Sequence, residues 1–174
     1  EQLDVVDPQH VHAVREAMRM QLASALMPDW QQAFEANQNT GAYRPDPVSS
    51  GKRALAGLAL TMACLGSDSD EWPARAFDRF KQAGNMTDRL NALGALVACG
   101  HPLAGEALSR FHAMFKGDEL VLDKWFALQA GASDRDGHVL ALVRQLMSHP
   151  DFHLKNPNRA RSLLFSYCSG NPAA

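Results

Sequence analysis

The chain has 174 residues, 46% of them hydrophobic, enough for one compact domain that at this size buries roughly 70% of its unfolded surface. Its formal net charge of −2 is spread along the sequence, with no basic block to neutralise a row of phosphates, so a nucleic-acid partner is excluded as an expectation. No apolar run approaches the ~20 residues that cross a bilayer, and Glu1-Gln2-Leu3-Asp4 lacks the basic and apolar regions of a signal peptide, so no membrane partner is expected.

Apolar residues recur at steps of three and four in nearly every segment between breakers, and strand-length alternation is absent. An all-α fold is predicted. Asp7-Pro8 opens the first helix as N-cap and first helical residue, with Val11, Val14, Met18, Leu22 and Ala25 forming one apolar stripe. Pro28 begins a second helix with Trp30, Ala33 and Phe34 inward. The stretch 39–50, containing Gly41, Pro45 and Pro47, reads as an ordered loop.

Four later segments, 53–66, 89–100, 124–131 and 161–170, are rich in small residues and close on Gly66, Gly100, Gly131 and Gly170. Each glycine is expected at the left-handed position just past a helix, where it costs least. More amphipathic helices lie between them over 72–82, 103–115 and 138–148. The glycines recur after 34, 31 and 39 residues, a period of stacked helical hairpins. Ala56, Gly57, Ala59, Ala92, Gly94 and Ala95 let inner helices approach, while Phe77, Phe80, Phe111 and Phe115 fill the gaps. The pattern predicts a right-handed superhelical α-solenoid of stacked antiparallel helix pairs, HEAT- or armadillo-like, with about nine helices. A compact orthogonal bundle is the competing architecture. The whole of 1–174 is read as one helical-repeat domain: two leading helices and a loop over 1–48, then repeat hairpins over 49–174. Because the sequence begins without Met and stops at Asn171-Pro172-Ala173-Ala174, both ends are expected to be cuts in a longer protein.

Cys64, Cys99 and Cys168 are odd in number and far apart, so they are read as small, buried, reduced thiols, which suits a cytoplasmic location. None of the phosphate-loop, dinucleotide, nucleophile-elbow or H-E-x-x-H motifs occurs. His10 and His12, two apart, point to different sides of a helix. His149 and His153 have the i,i+4 spacing of a metal-binding helix, but Pro150 between them argues against a continuous helix, and no metal ligand is assigned. His101, His112 and His138 have no cysteine or carboxylate at a useful spacing. The acidic pairs Asp68/Asp70/Glu71, Asp118/Glu119 and Asp134/Asp136 fall at helix starts, where carboxylates cap free N–H groups. The spacing after Asp68 does not fit a calcium loop.

Two stretches ask for more than architecture: 84–89, with Asn85, Thr87 and Arg89, and 154–163, with Asn156, Asn158, Arg159 and Arg161. Asn, Thr and Pro157 are explained by capping. Arginines in the first turn of a helix meet positive potential, which is unfavourable unless they are paired or used, for example to face a carboxylate such as the C-terminal end of a peptide.

The phrases Glu1-Gln-Leu-Asp-Val-Val-Asp-Pro8, Asn85-Met-Thr-Asp-Arg89, Leu122-Asp-Lys-Trp-Phe126, Asn156-Pro-Asn-Arg-Ala-Arg-Ser-Leu163 and Gly170-Asn-Pro172 resemble, in order, the C-terminal helical domain of bacterial aminopeptidase N, the alanyl aminopeptidase of the gluzincin class. The resemblance runs from first residue to last. It implies a parent exopeptidase that removes N-terminal residues, with zinc held by H-E-x-x-H and a further Glu, a Glu as general base, a Tyr at the oxyanion and a G-A-M-E-N segment at the substrate amine. None of these is present, so no catalytic or metal residue carries over, no cofactor is expected in this chain, and the chain alone should be inactive. The resemblance implies a domain that closes over the catalytic domain of the same chain and restricts and orients peptide substrate. Asn156, Asn158, Arg159 and Arg161 match the family's NPNR-x-R segment, with Arg161 expected nearest the peptide and Arg89 a further candidate. Against this stands a free-standing helical-repeat scaffold that binds a protein partner. An independent hydrolase is disfavoured, because no nucleophile–base pair can be assembled.

Overall fold

The computed structural model describes residues 6–134 and 137–171, all of whose regular structure is helical. Asp136, read above as a cap, lies outside the described residues. The helices are α1 (Pro8–Ala25), α2 (Met27–Ala36), α3 (Pro47–Gly66), α4 (Glu71–Gln82), α5 (Met86–Cys99), α6 (Leu103–Phe115), α7 (Glu119–Ala130) and α8 (Val139–Met147). A ninth, α9, runs without interruption through an α-helical turn (Pro157–Ala160), a π-helical stretch (Arg161–Phe165) and a final α-helical turn (Ser166–Gly170). The described residues thus hold nine helices and no strand, as the periodicity predicts.

Local chemistry sets the helix starts. Asp7 Oδ1 accepts from the N–H groups of Gln9 and His10. Asp46, Asn85 and Asp118 each accept a backbone N–H three residues on. Asp134 Oδ1 accepts from Val139 N–H at 3.2 Å, five residues ahead. Asp70, by contrast, precedes α4 without a side-chain cap. The loop predicted over 39–50 is shorter than expected, because Pro47 begins α3 behind the Asp46 cap instead of breaking it.

The chain divides into two compact units, Met18–Ser109, and Glu1–Ala17 with Arg110–Ala174; α1 and α6 contribute residues to both. In Met18–Ser109, α3 packs against α2, α4 and α5, and α4 against α5. Ala59, Leu60, Ala63, Ala76, Phe80, Ala92, Leu93 and Leu96 are fully or almost fully buried. Two glycines allow the close approaches: a Cβ on Gly57 would overlap the Asn91 side chain, and one on Gly66 would overlap the Ala23 carbonyl. In the second unit α7 packs against α8 and α9 over Phe111, Leu122, Phe126, Ala130, Val143 and Leu163. There a Cβ on Gly170 would come within 3.2 Å of Gly131 Cα.

Of the four helix-closing glycines, only Gly100 takes the left-handed conformation, with φ 69°. Gly66 and Gly170 are the last residues of their helices and Gly131 has φ −90°. At 66 glycine is required by the Ala23 carbonyl beside it and not by its own dihedrals, and at 170 it eases a tight approach to Gly131. The α1 stripe also departs from expectation: Val11, Val14, Met18 and Leu22 are exposed, and Ala23 is the only buried residue of the helix. The helix docks through Ala23, pressed against Gly66, with Met20 half-buried beside it, and leaves the larger residues of the expected stripe outside. The thiols differ among themselves, with Cys64 buried, Cys99 half-buried and Cys168 exposed.

Candidate functional site

The Asn156–Leu163 segment forms the first turns of α9. Asn156 Oδ1 accepts from the N–H groups of Asn158 and Arg159 at 3.1 and 3.2 Å, and Pro157 at the first helical position donates nothing that would go unpaired. This cap sends the two arginines in opposite directions. Arg159 is 1% exposed. Its Nε donates to Asp123 Oδ1 and its Nη2 to Glu119 Oε2, both at 2.6 Å; its Nη1 donates to the Asp151 carbonyl, and the guanidinium lies 5.0 Å from the Phe126 ring centroid. It binds α7 and the 151 turn to α9, which answers the question of what a cation does at a helix N-terminus.

Arg161 and Asn158 point outward. With Lys124, Leu120, Phe165 and Ser162 they line an open cleft of about 630 Å³ between α7 and α9. Leu120 and Phe165 are 67% and 65% exposed. The cleft therefore offers two cations beside an apolar rim, with the wall carboxylate Asp123 already paired with Arg159, an arrangement that suits an anionic group attached to an apolar one. Arg161 also begins the π-helical stretch, a wide turn of the kind found often at functional positions.

Arg89, in the other compact unit, turns back onto the preceding helix. Its Nη1 donates to Phe80 O at 2.8 Å and its Nη2 to Ala83 O, so it closes the carbonyl end of α4. Near it, a polar pocket of about 370 Å³ is lined by Tyr43, Arg44, Arg53, Arg79 and Asp88. Arg53 is 4% exposed, donates to Arg44 O and Ser50 Oγ at 2.8 and 3.0 Å, and stacks 4.5 Å from the Tyr43 ring centroid. Nothing in the spacing singled it out.

The histidines gain partners that spacing does not reveal. His112 Nε2 lies 2.7 Å from Asp151 Oδ2, and His149 Nδ1 lies 3.7 Å from the same oxygen. The hydrogen bond from His112 and the nearby cationic groups hold the Asp151 carboxyl below its usual range. Burial, opposed by the Asp151 charge, lowers the His149 imidazole. His153 is exposed, and Pro150 interrupts the helix before it as the sequence predicts. Cys64 and Cys99, 35 positions apart, line one small pocket with His101; a hydrogen bond from Cys64 pushes the Cys99 thiol down and the Cys64 thiol up. Asn171, absent from the sequence reading as a site, is 5% exposed; it accepts from Asp134 N–H at 3.1 Å and donates to Ala130 O at 3.2 Å, closing the end of α7.

The family described as "Domain of unknown function (DUF3458_C) ARM repeats" matches residues 1–174. Aminopeptidase N of Caulobacter vibrioides is 35% identical over 170 residues, 98% of this chain and 19% of that protein. Aminopeptidase N of Escherichia coli is 34% identical over 174 residues, all of this chain and 20% of that protein. The crystal structure of Legionella pneumophila aminopeptidase A in complex with aspartic acid superposes with a TM-score of 0.82 at 26% identity, covering 98% of this chain and 21% of that one. The chain thus spans about a fifth of the length of the relatives it matches. No described helix is long and apolar enough to cross a membrane. The chain belongs to the DUF3458_C family of ARM-repeat domains, and its likeness to one fifth of each aminopeptidase N fits the C-terminal helical domain that its sequence motifs predict.

Proposed function

We propose that this chain is a non-catalytic helical domain of a zinc aminopeptidase, which covers the catalytic domain of the same chain and helps to hold and orient the peptide. The observation that carries the reading is the full-length match to a fifth of aminopeptidase N, with no H-E-x-x-H in the matched part. The exposed apolar stripe of α1 and the exposed Leu55 and Leu58 of α3 support it, since faces of this kind suit burial against another part of a longer chain.

Within that reading Arg161 is the residue that meets the peptide, its guanidinium offering paired N–H donors to a terminal carboxylate, with Lys124 as a second positive charge and Asn158 as a neutral donor. Arg159, Asn156 and Arg89 serve by positioning: Arg159 and Asn156 fix the turn that presents Arg161, and Arg89 fixes α4 against α5. Binding the far end of the peptide supplies affinity and orientation without taking part in bond cleavage. The cytoplasmic location expected from the reduced thiols belongs to the same proposal.

The reading is tested by the parent reading frame and by turnover. A frame that carries H-E-x-x-H upstream of Glu1 supports it, and a complete frame without that motif overturns it. The purified chain with an alanine anilide and zinc should show no hydrolysis above buffer; turnover would overturn the non-catalytic assignment.

A further inference from the structure

Three potential metal ligands converge where no motif announces them. One ring nitrogen from each of His112 and His149 and a carboxylate oxygen of Asp151 all lie within 4.8 Å of one another. They come from the last turn of α6 and from the turn that follows α8. We propose that His112, His149 and Asp151 form a binding site for a first-row transition-metal dication of the zinc type, with water completing the coordination shell.

The geometry is close to what such an ion requires. A tetrahedral zinc with bonds of about 2.0–2.1 Å separates its ligand atoms by roughly 3.3–3.4 Å. The distances from Asp151 Oδ2 to His112 Nε2 and to His149 Nδ1, 2.7 and 3.7 Å, bracket that value. Two imidazoles and one carboxylate are a donor set of intermediate softness, suited to zinc, cobalt, nickel or copper and poorly suited to calcium or magnesium.

The rings are held in place before any ion arrives. His112 lies 5.0 Å and His149 5.3 Å from Trp125, centroid to centroid, and His149 is a further 5.8 Å from Phe126. Asp151 N–H donates to His149 Nδ1 at 3.1 Å, which sets the turn between them. An ion bound at that nitrogen takes over the lone pair that now accepts this bond. On the other side the cluster is open: the side chains of His112, His149 and Asp151 keep 24%, 26% and 34% of their exposure, enough for an ion to enter and for water to fill a fourth position.

Charge favours the same outcome. The one buried cation beside the cluster, Arg159, is already paired with Glu119 and Asp123. Its positive charge beside the cluster is thus largely neutralised by those two carboxylates, while the Asp151 carboxylate faces His112 and His149. Because Asp151 lies 39 residues from His112 along the chain, the site exists only in the folded state, and the ion stabilises that state.

The test is a zinc titration of the metal-free 174-residue chain carrying Cys168→Ser, which removes the one exposed thiol. Calorimetry should find one site with a Kd on the order of micromolar or tighter. Asp151→Asn and His112→Gln should each weaken it by at least about tenfold, the loss typical of removing even an outer partner of a metal ligand. In the background Trp30→Phe, Trp72→Phe, cobalt(II) should quench Trp125 fluorescence, and zinc should reverse the quenching. Absence of binding, or equal affinity in wild type and in whichever of the two variants remains folded, would overturn the proposal. So would cobalt binding that leaves Trp125 unquenched.

Discussion

Arg159 Nε donates to Asp123 Oδ1 at 2.6 Å with only 1% of the arginine side chain in solvent, so an ion pair within the fold holds the first turn of α9 against α7. Two residues further on, Arg161 is exposed.

The two arginines should therefore respond oppositely to truncation. Arg159→Met leaves Asp123 with its largely buried charge unpaired and three segments untied, and should cost roughly 3–5 kcal/mol, lowering Tm by about 6–20 °C. Arg161→Ala should stay within about 0.5 kcal/mol. Urea denaturation of both variants checks this, and equal losses would contradict the division between a buried strut and a surface donor.

Glycine substitutions separate close approach from conformation. Gly66→Ala drives a methyl into the Ala23 carbonyl and should destabilise by about 1–3 kcal/mol. Gly51, also inside α3, has open space around its Cβ position, and Gly51→Ala should stabilise by roughly 0.5–1 kcal/mol through the usual helix preference. Thermal melts that place both variants on the same side of wild type would be inconsistent with the α1–α3 contact.

Acid should weaken the second unit in two steps. The His149 pKa is lowered from 6.5, so below that pH the unfolded chain binds the proton first and stability falls as the solution is acidified. The Asp151 pKa is lowered from 3.8, so its contribution is complete above that value and disappears as pH drops through the folded pKa. Both signs agree: stability is lost toward acid. His149→Gln should flatten the slope below about pH 6.5, and Asp151→Asn the slope below about pH 4. Denaturant midpoints across pH 3–7.5 provide the check; slopes unchanged by both substitutions would contradict the assignment.

The helix starts, the helix count and the small-residue packing were legible because they depend on neighbours three or four positions away. Asn85 and Asp118 cap as their positions foretell, and α6 has the predicted bounds, while the Asp46 cap that starts α3 inside the expected loop was not foreseen. What depended on contacts distant in sequence was not legible. Arg89 finds its acceptors on α4 carbonyls, and Arg159 finds Glu119 and Asp123 some 36–40 positions away, so spacing alone could not tell either from an outward-facing arginine. His112 had no local carboxylate and meets Asp151 across 39 positions. Gly66 and Gly170 look like helix-stopping glycines by position, while their neighbours in space are Ala23 and Gly131.

The role given to Arg161 is tested most directly by Arg161→Ala in the parent aminopeptidase, assayed with a short peptide bearing either a free C-terminal carboxylate or a C-terminal amide. KM for the free acid should rise roughly fivefold or more, with kcat little changed and KM for the amide unaffected. An equal KM for both peptides before and after the substitution would contradict a peptide-holding role for this domain.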